Sequence, residues 1–148
     1  MHQTLLIGLF MLISMSVHAE GSGRPDTTSL HIRKNAVYFE IFGNGMGAGS
    51  LNYDRNIPLS PTTGIIVRAG LSWFDKFFPL GEVNILVGNQ RHHIEGGAGY
   101  TAFPAGDGIF LRTGYRFHGK RGLLIRAAPL YCINRKFFWY GVSLGYSF

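Results

Sequence analysis

The chain has 148 residues, a length that suits one compact domain and is too short for two. It carries 14 Lys and Arg against 8 Asp and Glu, for a net charge of +6, yet only 15% of its residues are charged. The 21 Gly, 12 Phe and 7 Tyr favour strands and tight turns over helices. The single cysteine, Cys132, excludes an internal disulfide, so the chain is not a small secreted domain held together by such bonds.

Residues 1–19 predict a signal peptide. An apolar run from Leu5 to Val17 is followed by the small residue Ala19, after which we expect signal peptidase to cleave. The run is shorter than the about 20 apolar residues that a membrane-spanning helix needs, and an uncleaved anchor is the alternative. Export argues against nucleic acid as a partner. Anionic lipid head groups are the expected neighbours of the excess positive charge.

Residues 20–34 combine Gly, Ser, Pro, Thr and charged side chains without periodicity, which predicts a flexible lead-in. From Asn35 to Phe148, apolar residues alternate with polar or small ones in about eight segments, which are separated by Gly, Pro, Asn and Asp. The length of each segment is close to the roughly nine to eleven residues that a tilted transmembrane strand needs. We therefore expect residues 35–148 to form an all-β fold, an eight-stranded antiparallel up-and-down transmembrane β-barrel with short loops.

In chain order, the alternation predicts a first strand at 36–44 and a second at 48–55, with a turn at 45–47 between them. A turn at 57–63, which contains two prolines, leads to the third strand, and a loop at 75–80 leads to the fourth. The later turns are expected at 88–90, 104–108, 118–122 and 134–136. The remaining six strands are predicted at 65–73, 82–87, 94–100, 109–117, 123–131 and 140–148.

Nearly all charged residues of the predicted strands share one face. They alternate with apolar side chains and so point away from them. An eight-stranded barrel is just wide enough for side chains to fill its interior, and four acids can neutralise four bases there. We therefore expect a packed, ion-paired interior and not an open pore. The expected interior charge network consists of Glu40, Asp54, Arg68, Glu82, Glu95, Arg112, Arg116 and Arg126.

The opposite, apolar face is expected to contact lipid and to carry no charge, because a charge at the bilayer midplane costs about 2–4 kcal/mol. The alternative is a soluble, secreted lipocalin-like barrel that binds an apolar ligand. That barrel would need Val142, Leu144 and Tyr146 inside and charged residues such as Glu40 outside. Aromatic residues near strand ends would form girdles at the two membrane surfaces. The expected girdle residues are Tyr53, Trp73, Tyr100, Tyr115, Trp139 and Tyr140.

The last predicted strand has Gly and Ser on one face and, on the other, Tyr140, Val142, Leu144, Tyr146 and Phe148. This pattern resembles the C-terminal signature of bacterial outer-membrane β-barrels. KNAVYFE at 34–40, GNG at 43–45 and SLNYDR at 50–55 resemble the opening hairpin of a family of small outer-membrane β-barrel proteins from Gram-negative bacteria, and GVSLGYSF at 141–148 resembles its closing strand. The resemblance implies location in the outer membrane and recognition of the last strand by the barrel-assembly machinery. The resemblance does not imply any catalytic motif.

The sequence offers no support for a catalytic function. The sequence has no Walker-type phosphate loop, no H-E-x-x-H and no C-x-x-C. His92 and His93 are the nearest approach to a metal pair, but adjacent strand residues point to opposite faces, so we expect a solvated turn pair and no metal or cofactor. A second alternative is a lipid-modifying barrel enzyme that would use Ser72, His93 and Glu95, which all face inward by parity.

The favoured hypothesis is an integral outer-membrane barrel without catalytic activity, with a structural or interaction role at the cell envelope. Its expected partners are outer-membrane lipid and the barrel-assembly machinery. The basic pairs Lys120-Arg121 and Arg135-Lys136 are expected to contact lipid head groups at the two rims of the barrel.

Overall fold

The computed structural model of this chain describes residues 33–44, 49–89, 91–102 and 108–148. The predicted signal peptide and almost all of the predicted lead-in lie outside these described residues. The predicted turn at 45–47, residue 90 of the next predicted turn and most of the turn at 104–108 lie outside them as well. Residues 48 and 103 also lie outside them, and the rest of the predicted barrel segment, 35–148, is described.

One closed antiparallel barrel accounts for the strands of the described residues. Each strand pairs with the next strand in the chain, and the last strand pairs with the first. The predicted all-β, eight-stranded, antiparallel up-and-down barrel is therefore confirmed as a fold. The strands are β1 (Asn35–Ile41), β2 (Gly49–Pro58), β3 (Thr63–Trp73), β4 (Phe77–Asn89), β5 (His92–Thr101), β6 (Gly108–His118), β7 (Leu123–Cys132) and β8 (Phe137–Ser147).

The first strand ends earlier than predicted. β1 stops at Ile41, three residues before the predicted end at residue 44. Phe42 adopts a positive φ of 58°, which breaks the extended conformation. Its side chain was expected inside and is instead 66% exposed. The chain therefore leaves the sheet at Phe42, and the alternation that predicted its orientation no longer applies.

The other seven strands are all longer than predicted, and β2 and β4 include prolines that the prediction placed in turns or loops. β2 continues to Pro58, whose missing N–H is tolerated at the last residue of a strand. β4 begins at Phe77 and includes Pro79, so the predicted loop at 75–80 shrinks to residues 74–76. β8 begins at Phe137, three residues before its predicted start.

Alternation along the strands separates an exposed outer face from a buried inner face, as the sequence predicts. On β8, Val142 and Leu144 are 57% and 62% exposed, whereas Ser143 between them is 1% exposed. The inner face carries its charged side chains at mid-height, and both apolar and polar side chains are buried above and below them. Ile66 and Leu86 are buried towards the end of the barrel that contains Asn35, and Phe110 is buried towards the opposite end.

The closing pair of strands, β1 and β8, depends on a glycine. A Cβ atom on Gly145 would lie 2.2 Å from the Cβ of Tyr38 and 2.3 Å from the carbonyl oxygen of Val37. Both atoms are on or next to the backbone of β1, so they cannot move aside without opening the pairing. Gly145 therefore lets β1 approach β8 closely enough to complete the barrel.

We expect Gly145→Ala to destabilise the barrel by about 1–3 kcal/mol, because the added methyl group must displace the β1 backbone. The measurement is the urea concentration at the midpoint of unfolding. Gly96→Ala on β5 is the matched control, since its added Cβ would lie 3.8 Å from its nearest neighbour, the carbonyl oxygen of Arg112. Equal midpoints for the two variants would contradict this account of strand closure.

Candidate functional site

Charged side chains from around the whole barrel meet at its centre. The structure places all eight residues of the predicted charge network inside the barrel, each at most 3% exposed. Seven strands supply them, and the eighth, β8, supplies Ser143, whose hydroxyl bonds two of them. They are Glu40 on β1, Asp54 on β2, Arg68 on β3, Glu82 on β4, Glu95 on β5, Arg112 and Arg116 on β6, and Arg126 on β7.

These eight groups form a closed ring in which carboxylates and guanidinium groups alternate. The nitrogen-to-oxygen distances of its eight contacts run from 2.5 to 3.4 Å. A ninth contact, 3.8 Å from Arg68 to Glu95, crosses the ring. The Arg112–Glu82 contact is an ion pair without hydrogen-bond geometry. We call this set the charge ring; its order is Glu40, Arg112, Glu82, Arg68, Asp54, Arg116, Glu95 and Arg126, which closes on Glu40.

The register of the sheet places part of the ring directly. Asp54 lies opposite Arg68, and Arg68 lies opposite Glu82, so three neighbouring strands present opposite charges side by side. Elsewhere a charged residue lies opposite a glycine: Arg112 pairs with Gly97 and Glu95 with Gly114. A Cβ atom added to Gly97 would lie 2.1 Å from the carbonyl oxygen of Val83 on β4. One added to Gly114 would lie 2.6 Å from the Cβ of Ala128 on β7, so these glycines let neighbouring strands approach closely.

Tyr38 lies within the ring and is 2% exposed. Its hydroxyl donates to the Asp54 carboxylate at 3.0 Å and accepts from Arg126 at 3.3 Å. The guanidinium groups of Arg126 and Arg68 lie 4.7 and 5.3 Å from the centre of its aromatic ring, within the range of a cation–π interaction. Alternation predicts that Tyr38 points inward, but it does not predict these partners.

Asn44 completes the network from outside the strands. Its backbone N–H donates to Glu40 at 3.0 Å and its side-chain amide donates to Glu82 at 2.8 Å. Its amide oxygen accepts a hydrogen bond from Arg112. Asn44 was expected at the end of the first strand, with the parity of Glu40, but it was not assigned to the charge network. Asn44 is therefore a site residue that sequence reasoning missed.

Mutual pairing makes the burial of these charges tolerable. An isolated charge moved from water into a protein interior costs several kcal/mol. Each arginine of the charge ring contacts at least two carboxylates, and each carboxylate contacts at least two arginines. The four negative and four positive charges cancel, so the interior is neutral as a whole.

The two adjacent histidines lie on opposite faces, as predicted, but the prediction of a solvated turn pair is wrong for one of them. His93 is 1% exposed inside the barrel, because β5 begins at His92. Its ring meets that of His118 edge-on, with 5.3 Å between centroids. His118, expected in a turn, is the last residue of β6, and its Nε2 accepts a hydrogen bond from Arg116 at 2.9 Å.

The residues imagined for a lipid-modifying enzyme do not come together. Ser72 lies opposite Phe78 on β4, whereas His93 lies opposite Gly88 on the same strand. Ten residues of an extended strand separate those two positions by roughly 33 Å. Ser72 and His93 therefore occupy opposite ends of the barrel, and this set of three cannot act as one site.

Residues 141–145 read Gly-Val-Ser-Leu-Gly, the residue spacing of the nucleophile elbow of hydrolases. That motif needs a sharp turn between a strand and a helix. Ser143 instead lies in the body of β8, where its hydroxyl donates to Glu40 at 3.2 Å and accepts from Arg126 at 3.0 Å. The match in spacing is therefore not accompanied by the geometry of the motif.

Two details of the outer face differ from the prediction. Trp139 was expected in an outer girdle, but it shares the inward parity of Ser143, and its indole N–H donates to the carbonyl of Gly43 at 2.7 Å.

Arg55 lies on the outer face of the barrel, where the strands were expected to carry no charge. Because β2 extends past the predicted end, Arg55 is within the strand, where it donates to the Asn35 side chain at 2.7 Å. The other five expected girdle residues lie on the outer face: Tyr53, Trp73, Tyr100, Tyr115 and Tyr140.

Neither a metal site nor a membrane-spanning helix occurs in the described residues. Within residues 33–44, 49–89, 91–102 and 108–148, no group of three or more His, Cys, Asp or Glu is placed to hold a metal ion. No helix in this part of the chain is long and apolar enough to cross a membrane. Comparison with protein-family models, curated proteins and solved structures found no match. The charge ring is accordingly the feature from which a function must be inferred.

We expect Glu40→Gln and Arg126→Gln each to cost about 3–5 kcal/mol of unfolding free energy, because either change leaves the buried charge ring with one uncompensated charge. The double variant should cost less than the sum of the two, by about 0.5–3 kcal/mol. Urea unfolding of the four proteins gives this double-mutant cycle.

Asp75→Asn is the control for this cycle, because Asp75 is an exposed acid in the turn between β3 and β4. Its removal should change stability by less than about 0.5 kcal/mol. If Glu40→Gln cost no more than Asp75→Asn, the charge ring would not be a stabilising element.

Proposed function

We propose that this protein is an integral outer-membrane β-barrel of Gram-negative bacteria, with a structural or interaction role at the cell envelope. The observation that carries the proposal is the distribution of side chains across the barrel wall. Ionic groups fill the inside, while the outside is covered with aliphatic and aromatic residues such as Leu51, Val83 and Ile94, each more than half exposed. A face of this kind is stable against hydrocarbon and unfavourable against water.

The height of the barrel supports the same proposal. Seven of the eight strands have 10–13 residues. At about 3.3 Å per residue and a tilt of about 40°, a strand of 11 residues spans about 28 Å, close to the about 25 Å of the apolar band of outer-membrane barrels. Arg55 is compatible with this band, because it pairs with Asn35, the first residue of β1, and its side chain can extend to the membrane surface.

A lipocalin-like barrel would need the reverse arrangement, with an apolar cavity inside and charges outside. Leu144 and Tyr146 are 62% and 53% exposed, whereas Glu40, Arg68 and Arg112 are at most 3% exposed. The charge ring also occupies the space in which a lipocalin would hold its ligand. These observations favour the membrane proposal and a barrel that is packed shut instead of an open pore.

The role that we propose is non-catalytic, and the partners are lipid and the barrel-assembly machinery, which would recognise the outer ridge of β8. The basic pairs support contacts with head groups at both rims. Lys120 and Arg121 lie in the turn between β6 and β7, at the end of the barrel that contains Asn35, and Arg135 and Lys136 lie in the turn between β7 and β8 at the other end. The first end would face the periplasm.

We expect Leu144→Arg to cost about 2–4 kcal/mol when the barrel is unfolded by urea from lipid vesicles, because the new charge would lie in the hydrocarbon. Leu59→Arg is the matched control: Leu59 is equally exposed, at 61%, but lies in the turn between β2 and β3. That variant should cost about 0–1 kcal/mol, the range for a charge near the membrane surface. Equal costs for the two arginines would contradict a lipid-facing β8.

Fractionation of cells that express the full chain tests location. We expect the protein in the outer-membrane fraction, and we expect it to migrate faster on a gel when unheated than when boiled, because a folded barrel remains compact in detergent. Depletion of the barrel-assembly machinery should remove the faster band. Recovery of the folded protein from the soluble periplasm would overturn the proposal and favour a lipocalin-like barrel.

A further inference from the structure

The wall of the barrel has a gap between β1 and β8. β1 has 7 residues and β8 has 11, and the last pair that joins them is Ile41 with Val142. Beyond this pair, residues 137–141 of β8 are bonded to β7 on one side and have no strand partner among the described residues on the other. Strand pairing is therefore interrupted along one third or more of β8.

A turn, instead of a strand, lies across this gap. After Ile41 the chain reverses at Phe42, whose side chain points out of the barrel, and Gly43 and Asn44 are buried. Gly43 packs directly on Gly141 of β8: a Cβ added to Gly141 would lie 2.7 Å from the Cα of Gly43. Asn44 is fixed by the charge ring, so the turn is anchored from inside and the gap is a built feature of the fold.

An apolar pocket opens at this gap. It has a volume of about 370 Å³ and is lined by Phe42, Phe137, Trp139 and Tyr140. Its volume lies in the lower part of the range of small-molecule sites, roughly 300–1,000 Å³. Trp139 belongs to the inner face of β8, so its presence in the lining means that an inward-facing side chain is reachable from outside the barrel. We call this pocket the notch.

We propose that the notch binds one acyl chain of a membrane lipid. The proposal rests on the proposed membrane location, because the notch is continuous with the exposed apolar face: Ile41, Val142 and Phe138 are its neighbours on β1 and β8 and are 46%, 57% and 72% exposed. Among the described residues, the lining side chains are all aromatic and none is charged, which suits a hydrocarbon chain and no ionic ligand. The buried turn at Gly43 and Asn44 closes the inner end, so an acyl chain would enter the wall without passing through it.

The two tryptophans of the chain allow a direct test in the full-length protein. Trp73→Phe leaves Trp139 as the only tryptophan. The variant is reconstituted in phosphatidylcholine vesicles whose acyl chains are either unmodified or brominated near mid-chain. Bromine quenches indole fluorescence only at close contact, so we expect Trp139 to lose roughly half of its emission or more in brominated vesicles, as van der Waals contact with an acyl chain requires.

Trp139→Phe is the matched protein, because it leaves only Trp73, which is 55% exposed on the outer face of β3. Quenching of Trp73 without quenching of Trp139 would overturn the acyl-chain proposal and leave the membrane proposal intact. Absence of quenching at both positions would overturn the membrane proposal itself. The difference in gel migration between unheated and boiled samples shows in each case that the variant is folded.

Discussion

Ion pairing around a closed ring is the constraint on which the rest of the barrel depends. Each strand from β1 to β7 places at least one charge in the ring, and side chains alternate with a period of two. A shift of one residue in any of these strands would move its charge to the outer face and would leave the buried charges unbalanced inside. The charge ring therefore selects one register for the sheet, and the register in turn fixes which residues form the outer face.

The inner and outer faces of the wall have opposite solvent preferences, and both follow from the same alternation. The charges of the ring neutralise each other inside, whereas the outer face is apolar, and the exposed ridge of β8 that includes Leu144 and Tyr146 is the clearest instance. Asn44 connects the charge ring with the gap in the barrel wall. By binding the ring from the turn after β1, it holds open the gap where Trp139 becomes reachable from outside.

Sequence periodicity was sufficient to predict the fold and the faces, because strands repeat every two residues whatever their partners are. All eight ring residues are inside the barrel for that reason. Strand ends were harder to predict: Pro58 and Pro79 are tolerated within strands here, and Phe42 leaves the sheet although its sequence continues the alternation. Asn44 and the pairing of His93 with His118 depend on three-dimensional packing between distant segments, which no local pattern encodes.

The order of charges along the chain has a consequence for how the sheet curls. The inner faces of β1 to β5 carry Glu40, Asp54, Glu82 and Glu95 against the single Arg68, a net charge of −3, whereas those of β6 and β7 carry the three remaining arginines, a net charge of +3. Before closure, the growing sheet is thus polarised, with a negative leading part and a positive trailing part. Coulombic attraction between the two parts, strongest where water is scarce, draws the edges of the unclosed sheet towards each other.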